Sequence, residues 1–141
     1  MSGQAQFEVV GPNAVMSEEG VIMQAIQVYR GDNKTLRFTI TQAAAAYDLT
    51  DCGVVFSAAK TAGSSVLLQK KNTEAGGGPT EILVNTPTNG IADVYMLDTD
   101  TAALTAGLYV WDLVVQTPDL KEFTAASGNM TITPRVTPPI P

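Results

Sequence analysis

From Val21 onward, apolar and polar residues alternate with a period of two over most of the chain, the spacing of half-buried β-strands. In the first such segment Ile22, Gln24, Ile26 and Val28 fall on one side, with Met23, Ala25, Gln27 and Tyr29 on the other. Arg30-Gly31-Asp32-Asn33 then supplies turn residues. Leu36 to Thr41 alternates again, with Leu36, Phe38 and Ile40 inward and Arg37, Thr39 and Thr41 outward. Further strands are predicted over Val54 to Ala59, which carries Phe56, and over Val66 to Lys70, Glu81 to Val84 and Ile91 to Leu97. Leu108 to Gln116 is the strongest strand signal, and Glu122 to Ala126 and Asn129 to Val136 complete the pattern as two segments.

Little in the chain favours helix. Ala43 to Ala46 is too short to hold a helix between strands. Asp98 to Leu104 has a helix start, with Asp98 or Thr99 as N-cap and Gly107 as stop, and makes about two turns at most. Asn72 to Thr80, with Gly76-Gly77-Gly78-Pro79 at its centre, reads as a connecting loop, since no Lys-Ser/Thr and no helix start follow to make a phosphate cradle. The first 20 residues, punctuated by Gly3, Gly11, Pro12, Asn13 and Gly20, read as an N-terminal arm. Residues 21–137 read as one domain, and Pro138-Pro139-Ile140-Pro141 as an extended Pro-rich tail. Short strands with turn signals and almost no helix predict an all-β fold. The expected form is an immunoglobulin-like β-sandwich of about 7–9 antiparallel strands with one short helical turn.

Tyr109 lies just after Gly107 at the start of the strongest strand, where a tyrosine corner is built. In that arrangement the ring packs in the core and the hydroxyl bonds back to the preceding connection. Tyr109, Trp111, Leu113 and Val115 then share the buried face, and with Phe38 and Phe56 form the expected core. Trp111 occupies the place where an antibody-type domain has its second Cys, so this core is expected to be held by packing. Leu108, Val110 and Val114 point outward with Asp112 and Gln116. Three aliphatics on a solvent face suggest coverage by another chain or by the arm. The candidate interface is therefore Phe7, Val9 and Val10 of the arm together with Leu108, Val110 and Val114.

Composition narrows the function. The 141 residues contain no His and one Cys, with 14 acidic against 8 basic side chains. No Ser-His or Cys-His nucleophile pair can be built, and the commonest zinc ligand is missing. Ser57, Ser64, Ser65 and Cys52 have no partner base. Cys52 alone cannot form an internal disulfide, which suits folding in a reducing cytosol. The acidic balance argues against nucleic acid as a partner, and apolar runs of five or six residues are far short of the roughly 20 that span a bilayer. Met1 to Val10 lacks the features of a signal peptide. Asp98 and Asp100 read as helix-start carboxylates, with calcium as the other reading. Arg30-Gly31-Asp32 matches the integrin-attachment tripeptide and also makes a plain turn. Lys70-Lys71 reads as a solvated strand end. No catalytic, cofactor or metal site emerges, and no cofactor is expected.

Several stretches, in order, carry a resemblance. They are Val28-Tyr29-Arg30-Gly31-Asp32 leading into Leu36-Arg37-Phe38-Thr39, then Asp48-Leu49-Thr50 before Val54-Val55-Phe56. Asp98 to Leu104 running into Gly107 to Leu113 follows, and Gly128 to Pro134 closes the series. The pattern, over about residues 21–137, resembles the small immunoglobulin-like domains of tailed-bacteriophage virion proteins, including the N-terminal domain of the baseplate upper protein. The resemblance implies a non-enzymatic structural protein of the virion, made in the bacterial host cytoplasm. It would dock as a tail or baseplate adaptor or as a capsid decoration subunit. Its partners would be other virion proteins, with copies arranged as a homo-oligomer or symmetric array, and neither nucleic acid nor membrane. The alternative is a cell-surface or glycan-binding immunoglobulin-like adhesion module. An enzyme comes third, and would need a carboxylate-only or metal site.

Overall fold

The computed structural model of the chain describes residues 5–10, 22–42, 45–72, 81–84 and 86–138. Ten strands form two sheets: β1 (Ala5–Val10), β2 (Ile22–Tyr29), β3 (Lys34–Gln42), β4 (Ala45–Ala46), β5 (Gly53–Ala59), β6 (Val66–Lys71), β7 (Ile82–Leu83), β8 (Ile91–Met96), β9 (Gly107–Gln116) and β10 (Glu122–Thr133). A 3-10 turn at Pro87–Asn89 and a one-turn helix α1 at Asp98–Ala102 are the helical pieces among the described residues. One sheet runs β1-β3-β8-β7, with β4 also on β3, and the other runs β2-β10-β9-β5-β6. Those orders are A-B-E-D and G-F-C-C′ of an immunoglobulin-like sandwich, with β2 added beside the last strand. The all-β sandwich expected from alternation is therefore the fold.

Alternation translates directly into two faces. Along β9 every second residue from Tyr109 to Val115 is buried, and Val54, Phe56 and Ala58 do the same on β5. Leu36, Phe38 and Ile40 enter from β3, Val94 and Met96 from β8, and Met130 and Ile132 from β10. Tyr109, Trp111, Leu113, Phe38 and Phe56 all lie in this core. Every buried side-chain nitrogen or oxygen among the described residues has a hydrogen-bond partner, as an interior must if it is not to lose the solvation of its polar groups. Gly90, with φ 71°, ends the 3-10 turn where a Cβ would collide with the Ile40 carbonyl. The close approach that lets the Ile40 N–H reach the Gly90 carbonyl at 2.7 Å needs glycine there.

Three features differ from the expectations. First, residues 5–10 of the expected arm form β1, paired antiparallel with β3 from Ala5 opposite Gln42 to Val10 opposite Arg37. The β3 edge offers this run a partner distant in sequence, which local pattern does not reveal. The remainder of the expected arm lies outside the described residues. The Pro-rich tail is described only at Pro138. Second, not all strand pairs are antiparallel, since β2 lies parallel to β10 from Ile22 opposite Ala126 to Tyr29 opposite Thr133. A parallel pair needs a long connection between its strands; here nearly the whole domain is that connection, so the pair closes the sheet with its first and last strands. Third, the two expected terminal segments are one strand, β10, with a bulge between Thr124 and Ala126. Ser127 and Gly128 stay extended because β2 and β9 hydrogen-bond them from both sides.

Candidate functional site

The E–F corner is built by the residues the sequence singled out. The Tyr109 hydroxyl donates to the Thr105 carbonyl at 2.7 Å, which completes a tyrosine corner. The Lys60 ammonium sits 4.2 Å from the centroid of the same ring, a cation–π contact at the end of the sandwich. Below it, Trp111 stacks on Phe56 with centroids 5.5 Å apart and meets Phe38 at 5.7 Å. The indole N–H donates to the Asn129 carbonyl on β10 at 3.2 Å. Phe38 on β3 and Trp111 on β9 thus span the two sheets where antibody domains carry a disulfide.

The other candidate motifs are joints of the sandwich. Arg30 donates to the Leu104 carbonyl at 2.9 Å and the Ala102 carbonyl at 2.8 Å, satisfying carbonyls at the end of α1. The Gly31 N–H donates to Thr101 Oγ1, and Asp32 pairs with Arg135 at 2.8 Å. The Arg-Gly-Asp tripeptide is thereby tied into the turn between β2 and β3. Asp98 accepts the Thr99 N–H and Asp100 the Leu97 N–H, the donors left over at a helix start. The helix is one turn, within the two turns expected at most, and its N-cap is Leu97 instead of Asp98 or Thr99. In the loop before β5, Asp48 accepts both the N–H and the hydroxyl of Thr50, bonds that hold its carboxyl below the usual carboxylate range. Burial pushes the Cys52 thiol up, with Asp48 and Asp51 adding to the effect, so its nucleophilic thiolate form is disfavoured.

Lys70 corrects the solvated-strand-end expectation. Its side chain is 5% exposed, and its Nζ lies 2.6 Å from Asp100 Oδ2. Alternation along β6 places Leu68 and Lys70 on the same, inner side. A charge pointing inward from an edge strand also discourages edge-to-edge pairing with other chains.

The outer face of the second sheet carries the residues left for function. Leu108 is 59% exposed, with Val110 and Val114 half-buried further along β9. Val55 lies opposite Val114 in the register, and the sequence reading had not singled it out. Val66, 52% exposed, stands at the other end beyond Ala59, which pairs with Val110. Between these apolar bands runs a polar row in register across four strands: Ser127, Asp112, Ser57 and Gln69. Gln69 donates to the Ser57 hydroxyl at 3.2 Å.

Here the turn between β5 and β6 bends over the sheet. Thr61, Ala62, Gly63 and Ser64 wall an open groove of about 590 Å³, whose floor includes Ala25, Ala59, Val110, Gly128 and Asp112. The small floor residues leave the space, and the overhanging turn explains why Ala59 is buried although it lies on the outer side. Burial raises the Asp112 carboxyl above the ordinary aspartate range, because a carboxylate taken from water loses solvation. Nothing in the linear sequence marks the groove, since its wall comes from the path of a turn.

Of the residues expected to form an interface, the structure therefore places Leu108, Val110 and Val114 together on this outer face. The backbones of Phe7, Val9 and Val10 lie on β1 in the opposite sheet; their side chains lie outside what is described. Among the described residues, no group of three or more His, Cys, Asp or Glu is placed to hold a metal ion. No helix of the described residues is long and apolar enough to cross a membrane.

No protein-family model matches the chain, and no curated protein sequence is similar to it. Among solved structures, the crystal structure of CopC from Methylosinus trichosporium OB3b is similar at 11% identity and a TM-score of 0.45, over 80% of this chain and 87% of that one.

Proposed function

We propose that this chain is a structural subunit of a tailed-phage virion. It would dock on neighbouring virion proteins through the outer face of the β2-β10-β9-β5-β6 sheet. The observation that carries the docking surface is the run of Leu108, Val110 and Val114 on that face, flanked by Val55 and Val66. Aliphatics on a sheet face, here in bands on either side of a polar row, lose water on association and give a docking surface its favourable term. The virion address rests on the ordered resemblance carried by Val28–Asp32, Asp48–Thr50, Asp98–Leu113 and Gly128–Pro134. The glycan-binding alternative calls for aromatic rings presented to solvent, whereas the Phe38, Phe56, Tyr109 and Trp111 side chains are enclosed in the core.

Quantitative mass spectrometry of purified particles tests this reading. Copies comparable with the major capsid protein indicate head decoration, and far fewer indicate the tail, baseplate or a vertex. Absence from particles overturns the virion role. A Leu108→Glu chain that folds, judged by circular dichroism, should enter particles at least about fivefold less well, since an anchor residue of an interface is worth more than about 1 kcal/mol.

A further inference from the structure

We propose that the groove beneath the β5–β6 turn is a receptor for a lysine or arginine side chain of the docking partner. The aliphatic stem would lie along Val110, Ala59 and Ala25, with the cationic head against Asp112. This rests on the docking-face reading and names the chemistry of the partner. Three observations lead to it.

The first is shape. The groove is narrow-floored, since Ala25, Ala59, Ser57, Ser127 and Gly128 bring side chains of minimal size to the sheet surface. Its volume suits one long side chain and the backbone on either side of it. The second is chemical gradation. One end carries Val66, Ala59, Val110 and Ala25, with Asn129 in register between the last two, and the middle is the polar row holding the carboxylate. A long basic side chain has the matching order of a methylene stem followed by a charged head.

The third is the state of Asp112. No hydrogen bond or ion pair to its carboxylate is found among the described residues, although burial removes part of its solvation. The groups beside it in the register are the hydroxyls of Ser57 and Ser127. Of the cations on the neighbouring strands, Lys60, just after β5, holds its ammonium over the Tyr109 ring, and Lys71 lies on the outer side of β6 opposite Val55, two strands and one row away from Asp112. A partly desolvated carboxylate without a counter-charge is a cost in the free protein that a partner's cation would relieve. The chain's net charge of −6 further favours approach of a basic segment.

The test titrates the full chain with Nα-acetyl-lysine amide, followed by amide chemical shifts. The control is Nα-acetyl-norleucine amide, which has the stem without the charge. Lysine amide should give saturable shifts in the millimolar range at Ser57, Asp112 and Gly128, weakened about fivefold in Asp112→Asn, the size expected of one part-exposed ion pair. Norleucine amide should bind at least about fivefold more weakly to the unaltered chain, on the same reasoning. No saturable shifts at these positions, equal response to the two probes, or indifference to Asp112→Asn would each overturn the proposal.

Particle incorporation separates the two readings. Loss with both Leu108→Glu and Asp112→Asn supports the face and the cation pocket together. Loss with Leu108→Glu alone keeps the docking face and overturns the cation pocket. Incorporation of both at the normal level overturns the docking face itself.

Discussion

Replacing Asp100 by Asn should destabilise this domain by about 3 kcal/mol, and Lys70→Met should rescue most of that loss. The estimate follows from the burial of the pair. Lys70 Nζ and Asp100 Oδ2 are 2.6 Å apart, with side chains 5% and 20% exposed. Removing the carboxylate from a buried pair takes an opposite charge away from the ammonium, which typically costs 3–5 kcal/mol, and about 3 is the appropriate end because Asp100 retains some solvent. Asparagine still accepts the Leu97 N–H that Asp100 Oδ2 holds at 2.8 Å, so the loss reports chiefly on the charge. Lys70→Met removes the buried ammonium and keeps its volume and stem, so the double variant should lie within about 1 kcal/mol of the unaltered chain, whereas Lys70→Met alone leaves the part-exposed Asp100 carboxylate without that ammonium and should be less stable than the double variant. With an unfolding entropy of about 2.1 cal/mol/K per residue, 3 kcal/mol corresponds to roughly 10 °C in Tm for a chain of this length. Urea unfolding followed by the fluorescence of Trp111, the one tryptophan of the chain, measures all four members of the cycle. An Asp100→Asn loss below about 1 kcal/mol would place the pair among ordinary surface ion pairs and refute the reasoning. A double variant as unstable as Asp100→Asn alone would refute it as well.

Two further outcomes are expected. Tyr109→Phe deletes the 2.7 Å bond to the Thr105 carbonyl and should cost about 1–2 kcal/mol by the same urea assay, with no change in the sheet signal by circular dichroism; an unchanged midpoint would show that the corner is held by packing alone. Asp112→Asn should stabilise the domain at neutral pH, because burial raises the folded-state pKa of the carboxyl. The native state then holds its proton more firmly than the unfolded chain, so this group's contribution to stability falls as pH rises from the ordinary aspartate range through the folded value. The advantage of the variant should therefore shrink as pH falls through the raised folded value and be gone below about 4, the unfolded aspartate value, and a pH-independent advantage would contradict desolvation as its cause.

The strands, the sandwich and the corner were legible because each is written in local pattern. A period of two fixes which side of a strand is buried, and it placed Phe38, Phe56, Tyr109, Trp111 and Leu113 in the core before any partner strand was known. The Gly107-Leu108-Tyr109 order announced the tyrosine corner, and the turn chemistry of Arg30-Gly31-Asp32 matched the joint it forms. Lys70, read as part of a solvated strand end, lies on the side of Leu68, and its counter-charge belongs to α1, two strands later.

Pairing between distant segments was decided only in three dimensions. Alternation gives the face of a strand and says nothing about its neighbour. The antiparallel place of β1 on β3, the parallel place of β2 beside β10, and the continuity of β10 through Ser127-Gly128 all depend on strands remote in sequence. The candidate site has the same origin. Asp112 is outward-facing by its position in β9, yet it is partly desolvated and lines a groove whose other residues include Thr61 to Ser64 of the β5–β6 turn. A carboxylate becomes a candidate binding group through the loss of water around it, and that loss is set by the path of the chain in space.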